Sequence, residues 1–164
     1  MEIRPIGTIH SSFREARGVP IQPVFARGAD GIVEVLPEYE EALADLEGFE
    51  RIWLLCWFDR ASAFRTKVTP YLDDTARGLF ATRAPARPNP IGLSCVRLLG
   101  IEANRLRVTE VDILDGTPLL DIKPYVQQFD CFDVKHNGWL DTVERRRIRS
   151  DSRFLRNTEQ GDTR

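Results

Sequence analysis

The chain of 164 residues has a net charge of -2 at pH 7, with 42% hydrophobic and 29% charged residues, the balance of an ordinary globular protein. This length suits one domain with its own core, and the small net charge excludes a global attraction to nucleic acid, so any anion site must be local. No apolar run is long enough to span a membrane and the first residues lack the layout of a signal peptide, so we expect a cytoplasmic protein.

Short strand-like segments dominate the chain. Alternating or aromatic-rich apolar runs predict strands, and the clearest hairpin turns at residues 102–104. In chain order, the predicted strands are 3–9, 31–36, 49–58, 66–72, 78–83, the two arms of the 95–114 hairpin, and 118–126.

Two segments are predicted to be helical. Apolar residues from Tyr39 to Leu46 have helical spacing between Pro37 and Gly48, and the same spacing recurs in the tail from Trp139. The connection 11–31 is rich in Gly, Pro and Arg, and loops of this length are usually functional or disordered.

The order of these elements indicates the fold class. Strands outnumber helices and do not alternate with them, which favours a mainly β protein: an antiparallel β-barrel or closed sheet with one or two flanking helices. A parallel Rossmann-like sheet is disfavoured, because no G-x-G-x-x-G motif follows a strand and no P-loop is present. The usual nucleotide and methyl-donor sites therefore cannot be assumed.

Cysteine and histidine are too few to predict a metal centre. Cys56, Cys95 and Cys131 are an odd number without a C-x-x-C pair, and His10 and His136 are the only histidines. Structural zinc sites and disulfide scaffolds need closely spaced sets of such residues. We expect no metal, no disulfide framework and no Ser-His-Asp hydrolase site.

The stretch RAPARPNPIGLS, residues 83–94, is rigid and basic. From residue 75 to residue 101 the chain contains arginines but no acid, whereas residues 28–50 contain acids but no Lys or Arg. Prolines around Ala86 and Arg87 restrict the backbone, and an arginine held in place suits an anionic or planar ligand. One interpretation is a ligand site that includes Arg83 and Arg87. The other is a rigid connection whose arginines pair with the acidic segment.

The stretch EVDILDGTPLLDIKPY, residues 110–125, places charge among apolar residues. Asp115 lies in a strong turn signal and has a simple explanation as an Asx-type turn. Asp112, Asp121 and Lys123 interrupt strand-like runs, so they face either solvent or a lined cavity. A barrel mouth with these acids near Arg83 would be a ligand site with both signs of charge, which PIQPVF at residues 20–25 could wall or merely flank as a surface loop.

Five blocks in this order resemble one known family. The blocks IGTIHSSF, VPIQP, LEGFERIWLLCWF, GLFATRAPARPNPIGLS and VDILDGTPLLDIKPY, spread over residues 6–126, are similar to the TsaA-like family, also called TrmO or YaeB-like. The resemblance implies a β-barrel methyltransferase that uses S-adenosylmethionine without a Rossmann domain and forms a homodimer. It also implies N6-methylation of the threonylcarbamoyl-modified adenosine at tRNA position 37.

The resemblance also implies which residues bind the methyl donor. Asp59 stands where many members have histidine, so the contact of that side chain is open. Longer members carry a further C-terminal domain, whereas here we expect a barrel domain at 1–138 and a short charged, partly helical tail at 139–164. By motif position the donor contacts are Pro23, Val24, Phe25, Asp59, Arg60, Arg83, Leu93, Thr109, Glu110, Val111 and Asp112.

Methyl transfer to an amine requires a proton acceptor, and transfer to RNA requires phosphate contacts. Asp112 and Asp121 are the candidate acceptors, with the Tyr125 hydroxyl as an orienting group. Arg87 and Lys123 are the candidate RNA contacts. The tail arginines add phosphate contacts or simply form a solvated terminal helix; they are Arg145, Arg146, Arg147, Arg149, Arg153 and Arg156. Two other functions stay open: methylation of another acceptor, and a non-catalytic barrel that binds RNA or a nucleotide.

Overall fold

A closed antiparallel barrel forms the body of the molecule. The computed structural model describes residues 2–143, 148–151 and 153–155, and in this part of the chain six strands close in the order β1-β2-β7-β6-β3-β8. Strand β8 pairs with both β3 and β1, which completes the ring. The strands are β1 (Gly7–Ser11), β2 (Asp30–Val35), β3 (Arg51–Trp57), β4 (Lys67–Val68), β5 (Arg77–Gly78), β6 (Ile91–Glu102), β7 (Arg105–Thr109) and β8 (Thr117–Pro124), with β4 and β5 paired outside the barrel.

Alternation along the strands builds the core. In β3, Ile52, Leu54 and Cys56 are fully buried, whereas the residues between them are half-buried on the outer face. Period-two alternation sends neighbouring side chains to opposite faces of a sheet, so one apolar face fills the barrel. The mainly β barrel and the hairpin that turns at Ala103 and Asn104 are confirmed, but the second arm ends at Thr109 and not at residue 114.

The helical predictions are wrong in type. Residues 37–48 form two 3₁₀ segments, Pro37–Leu43 and Leu46–Gly48, separated by Asp45 in a left-handed conformation (φ 65°). Leu43 still packs into the core, so the apolar spacing marked a buried face and not an α-helix. The one α-helix in the described residues is α1, Gln127–Asp130, which no sequence signal predicted. None of the helices in these residues is long and apolar enough to cross a bilayer.

Two predicted strands are much shorter than expected. Of 66–72 only Lys67–Val68 pairs, and of 78–83 only Gly78, together with Arg77 before it; Leu79–Ala81 is a 3₁₀ turn. The Thr82 hydroxyl donates a hydrogen bond of 2.8 Å to the Leu79 carbonyl, a local bond that competes with strand pairing.

The C-terminal residues fold back over the loops beside the barrel. In the tail, Gly138–Thr142 is a 3₁₀ segment. Residues 148–151 and 153–155 are here called the C-terminal strap; its first part follows the edge of the loop 16–22, and its second part lies against residues 61 and 62. The Ile21 amide donates to the Ile148 carbonyl (3.1 Å), and the Ser62 amide donates to the Phe154 carbonyl (2.8 Å). Phe154 completes a second hydrophobic cluster with Val68, Leu79, Ala84, Ala86 and Tyr71.

Candidate functional site

The connection between β7 and β8 closes one end of the barrel. These two strands are not neighbours: β6 and β3 separate them on one side, and β2 and β1 on the other. Residues 110–116 must therefore cross the barrel end, where Val111 and Ile113 are buried in the core. This crossing carries Asp112 into a largely enclosed position between two core residues.

Asp112 is the most perturbed carboxyl of this region. The Ser94 hydroxyl donates a hydrogen bond of 2.6 Å to Asp112 Oδ1. Burial raises the pKa of Asp112 from 3.8 to about 6, and the Ser94 bond and the nearby Arg83 charge only partly oppose this. A carboxyl with this pKa is a suitable proton acceptor near neutral pH.

The barrel wall beside Asp112 is tightly packed. Ser94 and Gly92 lie on the inward face of β6, and Cys56 faces Gly92 across the β3–β6 ladder. A Cβ on Gly92 would lie 2.6 Å from Cys56 Sγ and would also clash with the Phe58 ring, so only glycine fits. Burial, and after it the Asp112 charge, raises the pKa of Cys56 to about 12, which keeps the thiol protonated.

The Arg83–Arg87 loop is braced from within. Arg87 Nη1 donates to the carbonyls of Thr82 (2.9 Å) and Ala84 (3.4 Å), and Ala84 and Ala86 are buried. Arg83 is exposed and its Nη1 donates to Gln22 Oε1 at 2.6 Å. Arg83 thus bonds to Gln22 and Arg87 to its own loop, and neither pairs with the acidic segment 28–50.

Gln22 joins this loop to the predicted donor segment. It precedes the 3₁₀ turn Pro23–Phe25, in which Val24 is 63% exposed. The Phe25 amide donates to the Gln22 carbonyl (3.0 Å), so the side chain that holds Arg83 also belongs to the turn. Gln22 was not a predicted site residue, and nothing in the PIQP motif distinguishes it.

A second set of bonds ties the end of β3 to the 110–116 crossing. Arg60 Nη2 donates to the Asp115 carbonyl (2.8 Å) and to Thr117 Oγ1 (3.1 Å), and Arg60 Nε lies 3.6 Å from Asp59 Oδ1. The Asp115 carboxylate accepts a bond of 3.2 Å from the Ser11 amide and therefore links the crossing to the end of β1 rather than forming a local Asx turn. These contacts fix the crossing that holds Asp112.

The predicted donor-binding residues Thr109, Glu110 and Val111 differ in burial and in bonding partners. Val111 is fully buried, and its amide donates to the Ala29 carbonyl (3.0 Å). Glu110 has φ 66°, and its Oε2 lies 2.8 Å from Arg51 Nη2 in an ion pair. Thr109 is the last residue of β7 and pairs with both Asp30 and Arg97.

Asp121 and Lys123 lie on the outer face of the barrel. Asp121 pairs with Leu55 and Lys123 with Trp53, both outward residues of β3, and directly paired residues share a face. Lys123 Nζ lies 2.8 Å from Asp121 Oδ2. The barrel-mouth hypothesis expected Asp112 and Asp121 together near Arg83 and Arg87, but Asp121 faces outward beside Lys123 instead.

Tyr125 and Leu93 lie on this outer surface as well. The Tyr125 ring packs against Trp53, with centroids 5.8 Å apart, and its amide donates to the Arg51 carbonyl (3.0 Å). Leu93 pairs with Leu55 and is 54% exposed. The site that the structure assembles consists of Asp112, Ser94 and the Arg83 loop, with the 22–25 turn beside it.

The tail arginines that the structure describes bond within the chain. Arg145, Arg146, Arg147 and Arg156 lie outside the described residues. Arg149 Nη1 donates to the Gly18 carbonyl (2.7 Å), and Arg153 pairs with Asp151 (2.6 Å), so both have intramolecular roles.

Within the described ranges, no group of three His, Cys, Asp or Glu side chains could hold a metal ion.

Comparison with known proteins identifies the family. A family model described as the tRNA-methyltransferase O N-terminal domain matches residues 8–131. A Pyrococcus abyssi protein named "Probable S-adenosyl-L-methionine-binding protein" is 52% identical over 93% of this chain and 84% of its own length. The Escherichia coli tRNA (adenine(37)-N6)-methyltransferase is 38% identical over 76% of this chain and 57% of its own length.

A solved structure agrees with the sequence comparison. The crystal structure of TrmO from Pseudomonas aeruginosa superposes with a TM-score of 0.72 and 45% identity, over 86% of this chain and 62% of that one. The chain thus spans less than two thirds of that protein and of the Escherichia coli enzyme. With residues 8–131 matched and the barrel shared, the chain belongs to the tRNA-methyltransferase O family.

Proposed function

We propose that this protein is an S-adenosylmethionine-dependent methyltransferase that methylates N6 of threonylcarbamoyl-adenosine at position 37 of tRNA. The family and the names of its relatives support this activity. The observation that carries the proposal is the Ser94–Asp112 pair at the barrel end, where the Arg83 charge acts on the same carboxyl.

The residues around Asp112 suit a donor that carries charges of both signs. S-adenosylmethionine has a carboxylate, a cationic sulfur and a planar adenine. Arg83 offers an oriented guanidinium, because Gln22 already holds one of its nitrogens. Val24 presents exposed apolar surface beside Gln22, and the Asp112 carboxylate offers the negative charge that favours a sulfonium. We propose the eleven motif residues named above as the donor set, of which Leu93 lies on the outer face of the barrel and Val111 is fully buried.

The mechanism needs positioning and one proton transfer. When bound, the donor supplies a methyl group on a sulfonium sulfur. The sulfur leaves as a neutral thioether, so no acid is needed to protonate the leaving group. Asp112, with a pKa of about 6, is mostly ionised above that pH and accepts the proton that the N6 amine loses as its new N–C bond forms. Ser94 fixes the carboxylate by donating to Oδ1, which leaves the second oxygen for the amine. Asp121 remains an alternative proton acceptor and Tyr125 an orienting hydroxyl, both on the outer face.

We propose RNA phosphates as ligands of Arg87 and Lys123. Arg87 uses Nη1 inside its loop, and its other nitrogens can donate outward. Lys123 is 62% exposed beside Asp121, so its phosphate contact must compete with that ion pair. Because phosphate contacts release counterions, the affinity for tRNA should fall steeply with salt.

We also propose a homodimer in the cytoplasm, where tRNA is modified. The outer face of β3 and β6 supports the dimer, because Trp53 and Leu55 are half-buried there and Ile91 and Leu93 are 39% and 54% exposed. A contiguous apolar sheet face of this kind favours association. Sedimentation equilibrium should give twice the monomer mass of 18.8 kDa.

A second candidate is the same methyl-donor chemistry on another acceptor. The specific reason is that the Pyrococcus abyssi relative, matched over 84% of its own length, has a name that states donor binding and no acceptor. A third is a barrel that binds RNA or a nucleotide without catalysis. Thermal unfolding with and without S-adenosylmethionine separates the third from the others, because a ligand that binds only the folded state raises Tm. Mass analysis of tRNA nucleosides from a deletion strain then separates the first two.

A further inference from the structure

Two aromatic side chains on the rim of the Arg83 loop each lie against an arginine. The Arg87 guanidinium carbon is 5.5 Å from the centroid of the Phe80 ring. The Arg77 guanidinium carbon is 5.5 Å from the centroid of the Trp139 ring. We refer to Arg77, Phe80, Arg87 and Trp139 as the aromatic–arginine patch.

The Phe80 ring is held out in solvent by its own turn. In Leu79–Ala81, Leu79 is 3% exposed within the second hydrophobic cluster, whereas Phe80 is 80% exposed. The Thr82 hydroxyl and the Arg87 guanidinium both donate to the Leu79 carbonyl (2.8 and 3.5 Å), which holds the backbone of this turn. A large apolar ring that is this exposed is poorly explained by the stability of the fold, since burial would be favourable.

Trp139 is fixed against the same turn. Its indole Nε1 donates a hydrogen bond of 2.8 Å to the carbonyl of Ala81, the residue after Phe80. Residue 139 comes from the chain after β8, far away in sequence, so two separate segments bring aromatic rings and cations to one turn. A single exposed phenylalanine could be incidental, but this paired arrangement is a built surface.

The charge of this segment selects the kind of partner. Residues 75–101 contain four arginines and no acid, and the patch includes two of those arginines, Arg77 and Arg87. Surfaces that bind single-stranded nucleic acid combine cations for the backbone with aromatic rings on which bases stack. An acidic peptide would use the arginines but would have no need of a rigid open ring.

We infer that Phe80, backed by Arg87, is a stacking platform for an unpaired base of an RNA loop. Arg87 lies against the ring, and the exposed part of the ring receives the base, while Arg77 and Trp139 extend the surface. The inference rests on the proposed function, because it takes RNA as the acceptor, and it adds the site on which a loop base is held. The same loop carries Arg83 towards Asp112, so the platform and the proposed methyl-transfer site share one rigid support.

The test uses a 17-nucleotide anticodon stem-loop RNA and fluorescence anisotropy on the full chain. Phe80→Ala should weaken RNA binding by about 5- to 150-fold, the range for the loss of one stacked base. Phe80→Leu keeps apolar volume without an aromatic face and should be equally weak, whereas Phe80→Tyr should bind as the parent does. Phe129→Ala, which removes another exposed ring (70%) from α1, is the matched control and should change nothing.

Two further measurements keep the outcomes distinct. Calorimetry with S-adenosylmethionine should give the same Kd for the parent and for Phe80→Ala, and sedimentation should give the same mass. If the parent binds RNA and Phe80→Ala binds it equally well, the platform is overturned while the proposed function stands. If the parent binds no RNA, the RNA acceptor and the platform both fail. If Phe80→Ala changes the mass and leaves RNA affinity intact, the ring belongs to a protein contact and the inference is wrong.

Discussion

Ser94 and Asp112, eighteen residues apart, are joined by a hydrogen bond of 2.6 Å at the end of the barrel that the 110–116 crossing closes. Ser94 is buried on the inward face of β6, and Asp112 lies between two core residues. The fold thus brings a carboxylate to a low-dielectric position and satisfies one of its oxygens.

Replacing Asp112 tests its role as proton acceptor. Asp112→Asn keeps the shape and still accepts from Ser94, but it cannot take up a proton, so the single-turnover methylation rate should fall by about 100-fold or more. The donor Kd should change much less. Asp121→Asn is the matched control and should leave the rate unchanged, since Asp121 pairs with Lys123 on the outer face. A large loss in Asp121→Asn with none in Asp112→Asn would reverse the assignment.

The pH dependence of stability follows from the raised pKa of Asp112. The folded state holds the proton more tightly than the unfolded state, so the stabilisation is complete below pH 4 and disappears as pH rises through about 6. Between pH 4 and pH 7 the parent should lose about 2 to 3 kcal/mol relative to Asp112→Asn. Urea unfolding of both proteins at the two pH values measures this difference. A difference that stays constant would mean that the pKa of Asp112 is not raised.

Gly92 should tolerate no side chain. In Gly92→Ala the added Cβ meets the Phe58 ring and the Cys56 sulfur, and overpacking of this kind costs about 1 to 3 kcal/mol. Gly48→Ala is the control, because nothing lies within 4 Å of a Cβ at that position. Denaturant midpoints compare the two variants. Equal midpoints would show that the β3–β6 wall can open, which contradicts the close packing around Asp112.

The C-terminal strap should affect donor binding without touching the donor. Phe154 packs with Ala84 and Ala86 of the arginine loop and meets Tyr71 edge-on, with centroids 5.3 Å apart. Phe154→Ala should loosen that loop and weaken S-adenosylmethionine binding by about tenfold, the effect of losing about 1.4 kcal/mol. Calorimetry measures the Kd.

A conservative variant separates packing from general unfolding. Phe154→Leu should recover most of the affinity, and near-UV circular dichroism of the barrel tryptophans should be the same in all three proteins. If Phe154→Ala bound the donor as tightly as the parent, the strap would have no part in positioning the loop.

The barrel could be predicted from the sequence because alternation in β3 and in the β6–β7 hairpin is a direct consequence of one buried face. The face of the barrel on which Asp121 lies could not be predicted in this way. Leu119 and Ile122 both face the core although they are three residues apart, because the β3–β8 register shifts between Leu55 and Cys56. A bulge of this kind leaves no mark in a hydrophobic pattern, and it turns Asp121 outward.

The candidate site was only partly visible in the sequence. Arg83 and Asp112 stood out as charges in rigid or apolar surroundings. Ser94 was missed, although it is the one polar residue among the inward positions of β6, and a strict reading of the alternation would have found it. Gln22 and the strap depend on long-range packing, so no local pattern could indicate them.

The most direct measurement of the central claim is methyl transfer by the purified chain. The protein is incubated with S-adenosylmethionine and tRNA that carries threonylcarbamoyl-adenosine, and the nucleosides are analysed by mass spectrometry. We expect N6-methylated threonylcarbamoyl-adenosine with the parent and almost none with Asp112→Asn. A parent protein that binds both S-adenosylmethionine and the tRNA yet leaves this nucleoside unmethylated would contradict this expectation.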